Sequence, residues 1–150
     1  RNSKKDFKRS RRGKMIEEYI KKYRNYLYFV FRVLVGLMFF LHGAQKFGII
    51  GNGNINGLAQ VFGFPIWLAY IVGIVELLGG ILIALGIFTR TAAFISLIQM
   101  AVALIMVHFP GGWNPIANGG EPALLFFSAF LVIIVYGARK ISLERLIFKK

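Results

Sequence analysis

Glu76 lies in the middle of an apolar run, Ile66–Phe88, that holds no other charge. A charged side chain at the centre of a bilayer costs at least ~3 kcal/mol on insertion scales, so such residues are the first candidates for chemistry. The glutamate side chain is too short to reach water from that depth. It must be either protonated or paired with a cation. A carboxyl group held in this way can exchange protons with a bound substrate. The cations within reach in sequence terms are Arg32, His42 and Lys46, all on an earlier apolar run. His42, Gln45 and Lys46 follow an i, i+3, i+4 pattern and so share one helix face. Gln99 lies on a third apolar run at a depth similar to that of Glu76 or slightly deeper inward, His108 closes that run, and Glu121 opens a fourth. With a rise of about 1.5 Å per residue, the order from one membrane face to the other is Arg32, Gln99, Glu76, His42 level with His108, then Lys46 level with Glu121. Facing one interior, these seven residues would form a polar ladder. Glu76 and His42 are its candidate catalytic groups. Arg32, His42, Lys46, Glu76, Gln99, His108 and Glu121 are candidates for holding a ligand.

Each of these residues also has a purely structural reading. Arg32 and Lys46 can snorkel to opposite headgroup layers. Glu121 can be an acid stabilised at a helix N-terminus. His108 suits an interface, and Gln99 suits an interhelical hydrogen bond. Gly73, Gly79, Gly80 and Gly86 surround Glu76, and small residues let helices approach closely enough to satisfy it by packing alone. His42 and His108 are the right residue type to bracket a haem, but equal depth is weak support and haem is not expected. No cluster has the spacing of a metal site.

The elements that must position these groups are four apolar blocks: Tyr26–Phe47, Ile66–Phe88, Thr91–His108 and Pro122–Gly137. A helix needs about 20 mostly apolar residues to cross a bilayer. The first three reach or approach that length, and the fourth would do so by running on through Ala138. Between Ala92 and Val107 only Ser96 and Gln99 are polar. A helix of a soluble bundle would carry a charged face instead. The expected fold is therefore an all-α membrane protein, a bundle of four transmembrane helices.

Charge gives the orientation. The net charge is +13, with eleven Lys and Arg within Arg1–Arg24, five more within Arg139–Lys150, and Arg90 in the tight second connection. Gly48–Pro65 and Phe109–Glu121 contain none. Basic residues collect on the cytoplasmic side of short-looped membrane proteins, which predicts both termini inside a cytoplasmic (inner) membrane. This placement argues against nucleic acid as a partner and for anionic lipid. The first block is read as a retained span rather than a signal peptide, since Arg32 lies within it and no small-x-small cleavage pattern follows. Residues 1–25 form a basic cytoplasmic tail and interfacial segment, and residues 26–150 the membrane domain. Arg1–Lys14 is expected to be disordered. Met15 to Leu27 has helical periodicity with charges between the apolar positions, as in an amphipathic helix on the inner surface or an extension of the first span. In the first outer loop Asn56 is expected to cap a short helix ended by Gly63 and Pro65. Cysteine is absent, so thiol–disulfide exchange and a self-ligated iron–sulfur cluster are excluded.

Taken in order, the motifs are Arg32-x3-Gly36-x5-His42-Gly43-x2-Lys46, then Gly73-x2-Glu76-x2-Gly79-Gly80, then Gly86-x-Phe88-Thr89-Arg90-x-Ala92-Ala93, then His108, then Asn118-Gly119-Gly120-Glu121. Their order and spacing resemble the DoxX/DoxD family of four-helix membrane proteins, over about Tyr26 to Glu144. The basic extension looks longer than the family pattern. The resemblance implies a membrane subunit related to that of thiosulfate:quinone oxidoreductase, with other members linked to oxidative-stress and thiol-handling complexes. Its motif residues here are Arg32, His42, Lys46, Glu76, Arg90, His108 and Glu121. The expected function is a quinone-associated subunit that passes electrons from a soluble or peripheral redox partner to a membrane quinone, with homo-oligomers as a further expectation. His42 and Lys46 would donate hydrogen bonds to the quinone head, Glu76 would exchange protons, and Phe39, Phe40, Phe62 and Trp67 would flank the ring. The alternative is a membrane anchor or assembly factor without chemistry of its own. A transporter is disfavoured, because four short helices leave little room for alternating access.

Overall fold

The computed structural model describes residues 3–148, and among them helices, turns and loops are the only elements. Helix α1 spans Ser3–Lys46, α2 Ile55–Phe62, α3 Ile66–Leu85, α4 Thr89–Ala103, α5 Glu121–Tyr136 and α6 Leu143–Phe148. Past Ala103, helix α4 continues as a π-helical turn, Leu104–His108, and a 3-10 turn, Phe109–Gly111. Three helical stretches are long and apolar enough to cross a membrane: Met15–Lys46, Ile66–Leu85 and Thr89–Gly111. Helix α5 is apolar but shorter, with 16 residues. It does not run on through Ala138, because Gly137 takes φ 64 and caps it.

Helix α1 has 44 residues. At 1.5 Å per residue it is about 66 Å long, roughly twice the ~30 Å hydrocarbon thickness. The disorder expected for Arg1–Lys14 is corrected from Ser3 onward, and of the two readings of Met15 to Leu27, a surface helix or an extension of the first span, the second holds, since α1 runs uninterrupted through Tyr26. Lys and Arg are good helix formers, and a Glu17–Lys21 pair one turn apart, at 3.0 Å, supports the exposed stretch. Residues 1 and 2 of that run lie outside the described residues.

Two other boundaries differ from expectation. Asn54, not Asn56, caps α2, its side-chain oxygen accepting from the Asn56 backbone N–H at 2.9 Å. Helix α3 stops at Leu85, and α4 starts at Thr89 rather than Thr91, behind a turn in which Phe88 takes φ 46.

Helices α1 and α3 run antiparallel in backbone contact. A Cβ on Gly43 would lie 2.5 Å from the Leu77 backbone N, and a Cβ on Gly36 equally close to that of Ala84. Gly80 faces the Phe40 backbone in the same seam. Helix α4 packs on α3, α5 packs along α4, and α5 meets α1 only lightly. The interior holds Phe39, Ile83, Ala93, Met100, Phe130 and Ile133. A second small cluster of Ile55, Ala59 and Ala69 seats α2 against α3. The outer surface of the bundle is apolar: Leu34, Leu37, Ile74, Leu78, Ile98 and Leu125 are all exposed. That distribution matches a lipid-facing surface, since monomeric soluble proteins rarely expose large contiguous apolar patches.

Candidate functional site

The α1–α3 seam determines what meets Glu76. Because the two backbones touch at Gly43 and Leu77, the last turn of α1 lies beside the middle of α3. There Lys46 Nζ donates to Glu76 Oε2 in a close ion pair. From α4, Gln99 Nε2 donates to Glu76 Oε1 at 3.0 Å. Each carboxylate oxygen thus has a partner from a different helix, which is the condition for keeping an ionised group out of water. The Glu76 side chain is 6% exposed and that of Lys46 19%. Lys46 therefore turns into the bundle instead of snorkelling outward. Gly79 makes room for α4 at this level, as a Cβ there would come within 2.9 Å of Ser96 Oγ.

Three of the seven candidates, Lys46, Glu76 and Gln99, are joined in this cluster. His42 is half-buried one turn before Lys46 and sits edge-on to the Phe126 ring, with centroids 5.4 Å apart. Its ring makes no side-chain hydrogen bond among the described residues. Phe126 belongs to an aromatic group with Phe39 and Phe130, in which Phe39 is 5.2 Å from Phe126 and 4.9 Å from Phe130.

The remaining candidates lie elsewhere. Arg32 is fully buried, so it does not snorkel, and it is tied to backbone rather than to Glu76. Nη1 donates to the Ile83 carbonyl at 3.0 Å and Nη2 to the Ile141 carbonyl at 2.9 Å. Its guanidinium lies against Gly86, which caps α3 at φ 76. A cation at the carbonyl end of α3 is favoured by the helix dipole. His108 Nδ1 lies 3.2 Å from the Asn118 carbonyl, which can only accept, so Nδ1 carries the proton and the ring fastens the outer loop. Glu121 is exposed at the start of α5 and does not reach the cluster.

Of the aromatic residues expected to flank a ring, Phe39 is in the core. Phe40 is half-buried with its backbone against Gly80, Phe62 is exposed at the end of α2 and stacks with Phe64 just past it, and Trp67 is exposed. Phe126 takes their place beside His42. Its proximity could not be read from the sequence, because no pattern along α5 says which helix it meets.

The fit to a quinone head is partial. Lys46 spends one of its three donors and Gln99 one of its two on Glu76, and the His42 ring nitrogens are uncommitted among the described residues beside an aromatic cluster. This donor set suits one carbonyl of a flat ring, with an ionisable group nearby.

The fold and cluster define an all-helical membrane protein with a buried ion pair at its centre. The chain belongs to the DoxX family, whose model matches residues 27–109. A Haemophilus influenzae protein described as uncharacterized is 42% identical over 134 residues, covering 87% of this chain and 98% of that protein. A Bacillus subtilis protein named "Putative oxidoreductase CatD" is 29% identical over 79% of this chain and 84% of its own length. A Mycobacterium tuberculosis protein described as an uncharacterized membrane protein is 30% identical, with 79% of this chain and 80% of that protein covered. No solved structure matches the chain.

Proposed function

We propose that this chain is the quinone-associated membrane subunit of an oxidoreductase complex in the cytoplasmic membrane, crossing it four times with both ends inside. The observation that carries the reading is the ionisable cluster Lys46–Glu76–Gln99, held between three helices beside the uncommitted ring of His42. A buried ion pair is seldom a stabilising device, since well-packed apolar residues commonly do as well. Its presence in a bundle core therefore favours a role in proton or ligand handling. The relative named as an oxidoreductase favours redox chemistry. With no cysteine in this chain, the electrons would come from a partner enzyme. For the topology, α5 continues the antiparallel bundle, and Lys and Arg are missing from both loops at one end.

A bound quinone would supply a two-electron, two-proton acceptor. His42 would donate to one carbonyl and fix the ring against Phe126. Lys46 and Gln99 would hold Glu76 in place and set how readily it releases or takes a proton. Glu76 itself is shielded from water, at 4% exposure.

A second reading, a membrane anchor that recruits a soluble enzyme, is favoured by one observation. Helix α1 extends well beyond a bilayer span as a charged rod suited to docking a partner. The test separates the two. Protein purified in mild detergent is assayed for bound quinone by lipid extraction and a reduced-minus-oxidised difference scan. Stoichiometric quinone, lost in His42→Ala and in Glu76→Gln, supports the redox subunit. If wild type holds no quinone and gives a featureless scan, the redox reading fails and the anchor reading stands.

A further inference from the structure

At the opposite end of the bundle from Lys46, where Arg90 and the C-terminal segment meet, an open cleft of about 640 Å³ lies between the start of α4, the Gly137–Arg145 stretch and Asn25. Small-molecule sites run from roughly 300 to 1,000 Å³. Five of its lining residues are cations, Arg24, Arg90, Arg139, Lys140 and Arg145, against one acid, Glu144. Among the described residues none of the five has a carboxylate partner.

The cleft is lined in part by the N-terminus of α4, a helix of 15 residues whose first turn has no side-chain cap among the described residues. Uncapped N–H groups there attract anions, and the helix dipole adds to the attraction. Thr89, the first residue of α4, also lines the cleft. It is 2% exposed, and its Oγ1 has no hydrogen-bond partner among the described residues. A hydroxyl buried without a partner is costly and calls for an explanation. Close to Ser142, another lining residue, lies the Arg32 guanidinium, which is wholly buried and has no carboxylate partner among the described residues. Two of the cations are held in position. Arg139 donates to Asn25 Oδ1 at 3.1 Å and lies over the Tyr136 ring at 4.6 Å, while Arg90 donates to the Val135 carbonyl at 3.3 Å.

From this geometry we infer an anion site for a phosphate group, with the ligand's oxygens taken by Thr89 Oγ1, the first N–H groups of α4 and the guanidinium groups of Arg90 and Arg145. Guanidinium donors that line one cleft with a helix N-terminus suit a multiply charged, many-oxygen anion better than a single carboxylate. The phosphate can belong to an anionic phospholipid headgroup or to a soluble phosphate ester, because the cleft opens at the end of the bundle where headgroups and water meet. The site uses none of the Glu76 cluster and does not depend on the redox reading.

The test uses the full chain in nanodiscs. In discs of phosphatidylcholine alone, pyrophosphate is titrated and followed by 31P NMR. In parallel, native mass spectrometry counts phosphatidylglycerol retained from mixed discs. Arg90→Gln with Arg145→Gln removes two exposed cations of the cleft. Lys21→Gln with Lys22→Gln removes equal charge from exposed α1 and serves as the control. Thr89→Val removes the hydroxyl at nearly constant shape. The cleft pair should weaken binding about 10- to 100-fold, Thr89→Val several-fold, and the control pair less than about twofold. Pyrophosphate binding in neutral discs assigns the site to a soluble phosphate ester, and retention of phosphatidylglycerol alone assigns it to a lipid headgroup. Equal losses in the cleft and control pairs, or no binding of either probe, overturn the inference. If Thr89→Val lowers helicity, the two arginine substitutions at the exposed rim still decide it.

Discussion

Replacing Lys46 by Met leaves Glu76 with a single hydrogen bond, from Gln99, and no countercharge. Breaking a buried pair from one side costs about 3–5 kcal/mol, because the other charge is left behind uncompensated. The bond retained from Gln99 puts Lys46→Met at the lower end, near 3 kcal/mol. Glu76→Gln is expected to cost less, about 1 kcal/mol, for a reason visible in the geometry. The orphaned ammonium sits in the last turn of α1 with its side chain 19% exposed and can turn to the interface, whereas a glutamate 6% exposed on α3 cannot. The double variant carries no buried charge at this site and should cost little more than Glu76→Gln alone, a coupling of about 3 kcal/mol. Equilibrium unfolding in mixed micelles with rising SDS mole fraction, applied to all four proteins, measures this. If the two single losses simply add, or if Glu76→Gln is the more damaging, the pair is not the central electrostatic contact and the proposed proton-handling cluster loses its basis.

Gly80→Val forces side-chain atoms into the Phe40 backbone, so α1 and α3 must separate; a loss of at least about 2 kcal/mol is expected in the same unfolding assay. Gly86→Ala combines a left-handed φ with a clash against the Arg32 guanidinium, and it should destabilise more than Ala substituted at any exposed lipid-facing position. Arg32→Lys cannot serve the Ile83 and Ile141 carbonyls together, and a loss of about 2 kcal/mol should appear with raised amide exchange around Ser142. Ser96→Ala removes a buried Oγ that has no partner, so unfolding should shift by no more than about 0.5 kcal/mol or move toward stability.

The helical, membrane-embedded character of this chain was legible without coordinates, because spans are written as local composition. About 20 contiguous apolar residues with few charges have few other uses in a protein. The importance of Glu76 was legible for the same reason, since an isolated charge in such a run is an energetic anomaly wherever the helix goes. The small residues around it forecast close packing, and the Gly43 and Gly80 contacts deliver it. Partner choice was not legible. Arg32, Lys46 and His42 were equivalent candidates by sequence, because depth along a helix says nothing of its rotation or of the helix it faces. The glycine seam fixes the rotation of α1 against α3, which gives Lys46 to Glu76 and turns Arg32 to the carbonyl end of α3, while the packing of α5 sets Phe126 against His42. The phosphate cleft was equally invisible. It joins residues from Arg24 to Arg145 that only chain folding brings together, and its marker, the unpartnered hydroxyl of Thr89, is a property of burial rather than of residue type.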